Sequence, residues 1–202
     1  MRIGLDFDNT IVSYDKLFFK VALEQKLVPS NSLVSKIAVR DYLRKVDKED
    51  IWTQMQGYVY GSRMGEAEAY PGATKFIKAA KNAGHELAIM SHKTRYPFAG
   101  PKYDLHLTAR SWIAQNLIES GADLIPKEQV FFELTKEEKI KRAAEFNCDI
   151  FIDDLPEIFL LESFPENAER FLFDPEQNHN KKDYPNCKQF FSWDDIRRHL
   201  LL

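Results

Sequence analysis

Cysteine is scarce in this chain: 2 of 202 residues, Cys148 and Cys187. They form no CxxC pair, which leaves no redox motif, thiol-based zinc site or disulfide framework to consider. Two reduced, partly buried thiols are expected. Also missing is any run approaching the roughly 18 apolar residues of a membrane span, so no membrane association is expected. Basic charge is not in excess, since 28 Lys and Arg stand against 31 Asp and Glu for a formal net charge of -3. No global positive field is available to attract nucleic acid. There is no internal repeat and no low-complexity tract. The sequence runs directly into an apolar stretch without a signal-peptide pattern, which sets the expectation of a cytoplasmic protein. With 44% hydrophobic and 29% charged residues, the composition is that of an ordinary globular protein. The length suits one domain with an insertion, or one domain and a small second one.

The stretch Ile3-Gly4-Leu5-Asp6-Phe7-Asp8-Asn9-Thr10 organises the rest. An apolar run that reads as a strand ends in two acidic residues one position apart. Alternate side chains of a strand share a face, so Asp6 and Asp8 are expected to point the same way. Two such carboxylates repel, and burying them unpaired is costly. A cation, a reacting phosphate or both would relieve that cost. A polar turn in which Asp8 or Asn9 bonds its own backbone is the plain alternative.

Periodicity sets out the remainder. Tyr14 to Leu27 carries apolar residues at three- and four-residue spacing and reads as a helix. Ser32 is positioned to cap a second helix through Leu43, and Asp47 to Met55 reads as a third. The stretch 56–65 is rich in aromatics and holds Gly57, Gly61 and Gly65, which suggests tight turns or backbone close to a ligand. The section from Ser13 to Tyr70 is thus mostly helical. Beyond Pro71-Gly72, helices alternate with strands at 86–91, 129–132, 149–154 and 170–173, the helices being 73–83, 105–120, 136–146, 156–164 and 193–202. This alternation predicts an α/β fold with a parallel sheet of about five strands, helices on both faces and right-handed crossovers. Ligands of such sheets bind outside the carboxyl ends of the strands. Asp6/Asp8, Ser91 and Asp153/Asp154 all fall at such ends.

Four carboxylates at one rim call for a cation, and hard oxygen donors without a His/Cys set favour Mg²⁺ over zinc. One Asp could be a nucleophile that forms an aspartyl-phosphate. The other residue of the first pair could protonate the leaving oxygen and then activate water. Ser91 could donate to a phosphoryl oxygen, and a lysine could balance developing charge. Lys136, Lys139 and Lys141 near the start of one helix are the candidates for that lysine. His92, Lys93 and Arg95 follow Ser91 closely and could bind an anionic substrate. Tyr58, Tyr60 and Arg63 are candidates in the helical section, against the plain reading of packed aromatics and a surface arginine.

Asp6-Phe7-Asp8-Asn9-Thr10, Met90-Ser91, Lys139 and Ile152-Asp153-Asp154 resemble the four motifs of the haloacid dehalogenase (HAD) superfamily, in family order and across nearly the whole chain. The resemblance implies a Rossmann-like core at 1–12 and 71–202, with a mobile helical cap at 13–70 inserted after the first motif. It implies Asp6 as nucleophile and Asp8 as general acid/base. Mg²⁺ would be held by Asp6, Asp153 and the backbone carbonyl of Asp8, with Asp154 as a nearby ligand. Ser91 and Lys139 would bind the phosphoryl group, Asn9 and Thr10 would complete the loop around it, and His92 and Arg63 would contact substrate. Lys139 is preferred among the lysines for its spacing to Asp153. Asn9 stands where the family commonly has Gly, a turn-compatible exchange.

The second aspartate narrows the reaction. The resemblance implies that halide-removing members lack it and that transport ATPases carry Thr there. The expected function is therefore Mg²⁺-dependent hydrolysis of a small-molecule phosphate monoester, a sugar phosphate or nucleotide, by a monomer or homodimer. A phosphomutase and a non-catalytic binding module on the same fold are the alternatives.

Overall fold

Strand β1 (Arg2–Leu5) lies at the centre of the sheet. The computed structural model describes residues 1–202 and divides into two compact units. The first comprises Met1–Val12, Ala69–Lys93 and Asn116–Leu202; the second comprises Ser13–Glu68 and Thr94–Gln115. In chain order the strands are β1, β2 (Val12–Ser13), β3 (Glu68–Ala69), β4 (Glu86–His92), β5 (Ile118–Glu119), β6 (Ala122–Asp123), β7 (Val130–Glu133), β8 (Ile150–Asp153), β9 (Glu169–Phe173) and β10 (Cys187–Phe190). The helices are α1 (Asp15–Glu24), α2 (Lys36–Lys45), α3 (Glu49–Tyr60), α4 (Ala73–Asn82), α5 (Leu105–Asn116), α6 (Lys136–Glu145) and α7 (Trp193–His199).

The first unit is built on a six-stranded parallel sheet of order β10-β9-β8-β1-β4-β7. It is an α/β, Rossmann-like arrangement with helices on both faces. Register places Leu5 level with Ile89 and with Ile152. Alternation then sorts the side chains. Ala88, Met90, Phe151 and Leu172 pack with Ile140 and Ala143 of α6. On the other face Phe76 of α4 stacks on Trp193 of α7, which also meets Phe173 of β9.

The sixth strand, β10, had no apolar run to announce it. Its buried residues, Cys187 and Phe190, stand at the two ends, with the more exposed Lys188 and Gln189 between them, as suits an edge strand. Residues 156–164 form only a short 3₁₀ turn, Pro156–Leu160, instead of a helix. After α5 the chain makes a small hairpin, β5 with β6, whose two-residue turn puts Ser120 at φ 50° and Gly121 at φ 81°.

The second unit holds α1, α2 and α3, followed by the segment 94–115 with most of α5. Ser35, three residues beyond the expected cap, starts α2 by accepting from the Ala38 N–H. The three glycines divide by role. Gly57 lies inside α3 and Gly61 follows its end, and a Cβ at Gly57 would come 2.7 Å from Pro97 Cβ. A Cβ at Gly61 would overlap the Tyr103 side chain, whereas Gly65 faces open space. These two glycines let the segment 97–103 lie directly on α3, so the close approach is made by the chain itself. Thr108 Oγ1 donates to the Tyr60 carbonyl, and Trp112 Nε1 to the Ala67 carbonyl, fixing α5 to the same unit.

Candidate active site

β1 ends at Leu5, and the Asp6 N–H continues the ladder by bonding the Ile152 carbonyl at 2.9 Å. Asp6 therefore stands just past the strand end, beside Asp153, the last residue of β8. Beyond Phe7 the chain leaves the strand. The N–H groups of Ile11 and Val12 both return to the Phe7 carbonyl, and Asn9 takes φ 58°. Asn tolerates that left-handed conformation better than most residues with a Cβ. Asp8 thus sits in a turn instead of the strand, and the two aspartates meet different cations.

Lys139 serves Asp6. A capping box between Thr135 and Glu138 fixes where α6 begins, and Lys139 follows at once. Its Nζ lies 2.6 Å from Asp6 Oδ1 and 2.5 Å from Asp153 Oδ2, all three residues being buried. The same ammonium stands 5.6 Å from the centre of the Phe151 ring. Lys136 instead pairs with Glu157, and exposed Lys141 approaches Glu145. Of the three candidate lysines, Lys139 is the one that meets the carboxylates. Burial would drive its proton off, but the charges of Asp153 and Asp6 prevail and hold it above the ordinary lysine range. Burial pushes Asp153 upward, with Lys139 opposing.

One ammonium between two buried carboxylates leaves negative charge over, and a third acid adds to it. Ligand oxygens of Asp6, Asp153 and Asp154 lie within 4.8 Å of one another. Asp153 Oδ2 is buried and has no well-directed hydrogen bond. A hard, oxygen-seeking cation such as Mg²⁺ fits this donor set. Asp154 is held by Thr10, whose hydroxyl donates to Asp154 Oδ1 and accepts from the Asp154 N–H, both at 3.1 Å. Thr10 is itself fixed, because Trp193 Nε1 donates to its carbonyl at 3.0 Å.

Asp8 has its own cation: Lys93 Nζ lies 2.6 Å from Asp8 Oδ2. The expected role of Lys93, with His92 and Arg95, is to bind an anionic substrate; the structure pairs it with Asp8 instead. The available signal was the period of two that places Lys93 on the same side of the chain as Ser91. Ser91 is buried on β4, level with Phe132 of β7. His92 follows, level with Glu133. Burial lowers the His92 pKa, and the Lys139 charge lowers it further, which favours neutral imidazole at pH 7. Arg63 belongs to the second unit, where its guanidinium is engaged by Glu24 and Glu66. Tyr60 packs edge-on against Tyr14 and Phe18 in the same unit.

No protein-family model matches the chain, and no curated protein matches its sequence. Solved structures do. A protein described as a predicted phosphatase from Clostridium acetobutylicum superimposes with a TM-score of 0.61 at 15% identity, over 99% of this chain and 97% of its own. A HAD family hydrolase from Deinococcus radiodurans, solved with bound phosphate and sodium, gives 0.59 at 17% identity over 98% and 94%. A HAD hydrolase from Bacillus subtilis bound to magnesium gives 0.54 at 11% identity over 100% and 97%. At these identities the likeness establishes the fold: the chain has the architecture of HAD-superfamily hydrolases and phosphatases along its whole length.

Proposed function

We propose that this protein belongs to the phosphatase-type HAD enzymes and hydrolyses a small-molecule phosphate monoester, a sugar phosphate or nucleotide, through an aspartyl-phosphate on Asp6. The observation that carries the reading is the buried Asp6–Lys139–Asp153 constellation at the carboxyl ends of β1 and β8. An Asp6 oxygen attacks phosphorus while the bond to the leaving oxygen breaks, and Asp8 gives that oxygen a proton. Asp8 then takes a proton from water as the water oxygen attacks phosphorus, which releases inorganic phosphate and restores Asp6. Ser91 donates to a phosphoryl oxygen, and Lys139 balances its charge. Asp6, Asp153, Asp154 and the Asp8 backbone carbonyl would hold Mg²⁺, which when bound stabilises negative charge on the transferring group.

Substrate selection is assigned in this proposal to the second unit, the counterpart of the expected cap. Residues 94–115 cluster with Ser13–Glu68 in that unit, so the cap in this proposal takes them in besides the expected 13–70. No helix is long and apolar enough to cross a membrane; a cytoplasmic setting belongs to the same proposal.

The test is release of inorganic phosphate from an aryl phosphate and from a panel of phosphorylated sugars and nucleotides. Turnover is expected with Mg²⁺, and loss of it on chelation and in Asp6→Asn. Isomerised phosphosugar without free phosphate would assign the protein to the mutases instead.

A further inference from the structure

Each aspartate of the first motif has its own lysine, and the second pairing has no place in the reaction as set out above. Lys93 is almost wholly buried, its side chain 4% exposed, against 20% for Asp8. Burying an ammonium is costly unless it is paired, so a strong partner is expected, and Asp8 Oδ2 supplies one at 2.6 Å. Such charge-assisted bonds are short and directional. Both ends of the contact are anchored. The Lys93 N–H bonds the Glu133 carbonyl at 2.7 Å, which carries the β4–β7 ladder one residue past His92. The Lys93 ammonium also lies 5.9 Å from the centre of the Phe7 ring, next in sequence to Asp8. Asp8 itself bridges to Val12 across the turn. Asp8 Oδ2 is therefore held from the carboxyl end of β4 within the first unit.

We propose that Lys93 is a positioning residue that aims Asp8 as proton acceptor in the second half-reaction, the attack of water on the aspartyl-phosphate. This rests on the phosphatase reading. The chemistry of the contact selects the step. An ammonium donating to Asp8 leaves that carboxylate a hydrogen-bond acceptor, which is the role the water step requires. In that step the water O–H bond breaks, its proton goes to Asp8, oxygen bonds phosphorus, and the phosphorus–Asp6 oxygen bond breaks with its electron pair returned to Asp6.

Lys93→Met keeps much of the side chain's length and removes the donor. Because Asp8 is partly exposed, water can take the lost hydrogen bond, and the variant is expected to fold. General-base assistance of this kind is worth roughly 10²-fold or more, so kcat on p-nitrophenyl phosphate should fall by about that factor. KM should fall with it, because kcat/KM reports formation of the phosphoenzyme, and the weakly basic p-nitrophenolate leaves with little need of the proton from Asp8. The phosphorylated enzyme should accumulate, visible in rapid quench and intact mass as one added phosphoryl group. Lys93→Arg, which keeps a cationic donor and does not depend on the methionine variant folding, should recover part of kcat and accumulate less phosphoenzyme. A fall in kcat/KM equal to the fall in kcat, or unchanged constants in a folded Lys93→Met, would overturn the assignment. Wild-type protein that turns over no phosphate ester and forms no phosphoenzyme would overturn the phosphatase reading itself, and this inference with it.

Discussion

Lys139 and Asp153 face each other at 2.5 Å, and neither side chain has any exposure to solvent. The contact is one arm of a bridge, because the same ammonium lies 2.6 Å from Asp6. Removing one partner of a buried pair is expensive, since it strands a charge. Lys139→Met should lower the unfolding free energy by roughly 3–5 kcal/mol at neutral pH in the absence of divalent metal. Urea unfolding checks this. Adding Asp153→Asn to that variant should restore part of the loss, so the two changes should be clearly non-additive.

Gly4 makes room for the platform beneath that lysine. A Cβ at this position would come 2.5 Å from Phe151 Cδ2 and 2.9 Å from Cys148 Sγ. Phe151 is fully buried and lies under the Lys139 ammonium. Gly4→Ala should therefore cost about 1–3 kcal/mol through overpacking. On the proposed function, it should also reduce phosphate-ester turnover more than that stability loss alone explains, because the displaced ring bears on Lys139. Thermal unfolding and kcat, measured on the same preparation below its melting range, separate the two effects.

The sheet and the acidic rim were legible because each rests on a local pattern. Buried parallel strands read as apolar runs, and an acid after such a run is conspicuous, as at Asp6 and Asp153. What escaped depends on contacts between distant residues. β10 has two polar residues, Lys188 and Gln189, at its middle and carries no run. The role of Gly57 is visible only once Pro97 lies against it. Lys93 was visible as a cation, but its partner depended on the chain leaving the strand before Asp8. Alternation places Asp8 on the face of Asp6 only if the strand continues, whereas β1 ends at Leu5 and the chain turns through Asn9 at φ 58°.

Arg63 gives the second unit an acid-sensitive tie. Its guanidinium bonds Glu66 and lies 2.6 Å from Glu24. Hydrogen bonding to Arg63, helped by Lys20, holds the Glu66 carboxyl down at about 2, below its ordinary 4.5. Glu24 is lowered by the same arginine. A carboxylate depressed in the folded state contributes stability that is complete above its unfolded pKa and is lost as pH falls through the folded one. The contribution should be full above about pH 4.5 and disappear towards about pH 2. Both glutamates are largely open to solvent, so the effect is modest and screened by salt. Melting curves of wild type and Arg63→Met should converge as pH drops through this window, and also in concentrated salt at neutral pH.

Gly61 tests how the segment 97–103 is held on α3. Its hypothetical Cβ would overlap the Tyr103 side chain, whereas one at Gly65 would meet nothing within 4 Å. Neither glycine has a positive φ, so backbone strain does not separate them. Gly61→Ala should destabilise the protein by about 1–3 kcal/mol through overpacking. Gly65→Ala should be neutral or slightly stabilising, since it restricts the unfolded chain without a clash. The overlap also predicts a rescue. Truncating Tyr103 to Ala costs stability alone, but in the Gly61→Ala background it removes the atoms that the new methyl strikes. The double variant should then be more stable than the sum of the single losses, by a coupling within about 0.5–3 kcal/mol. Equal melting of Gly61→Ala and Gly65→Ala would mean that Tyr103 yields freely, and that α3 does not depend on the notch.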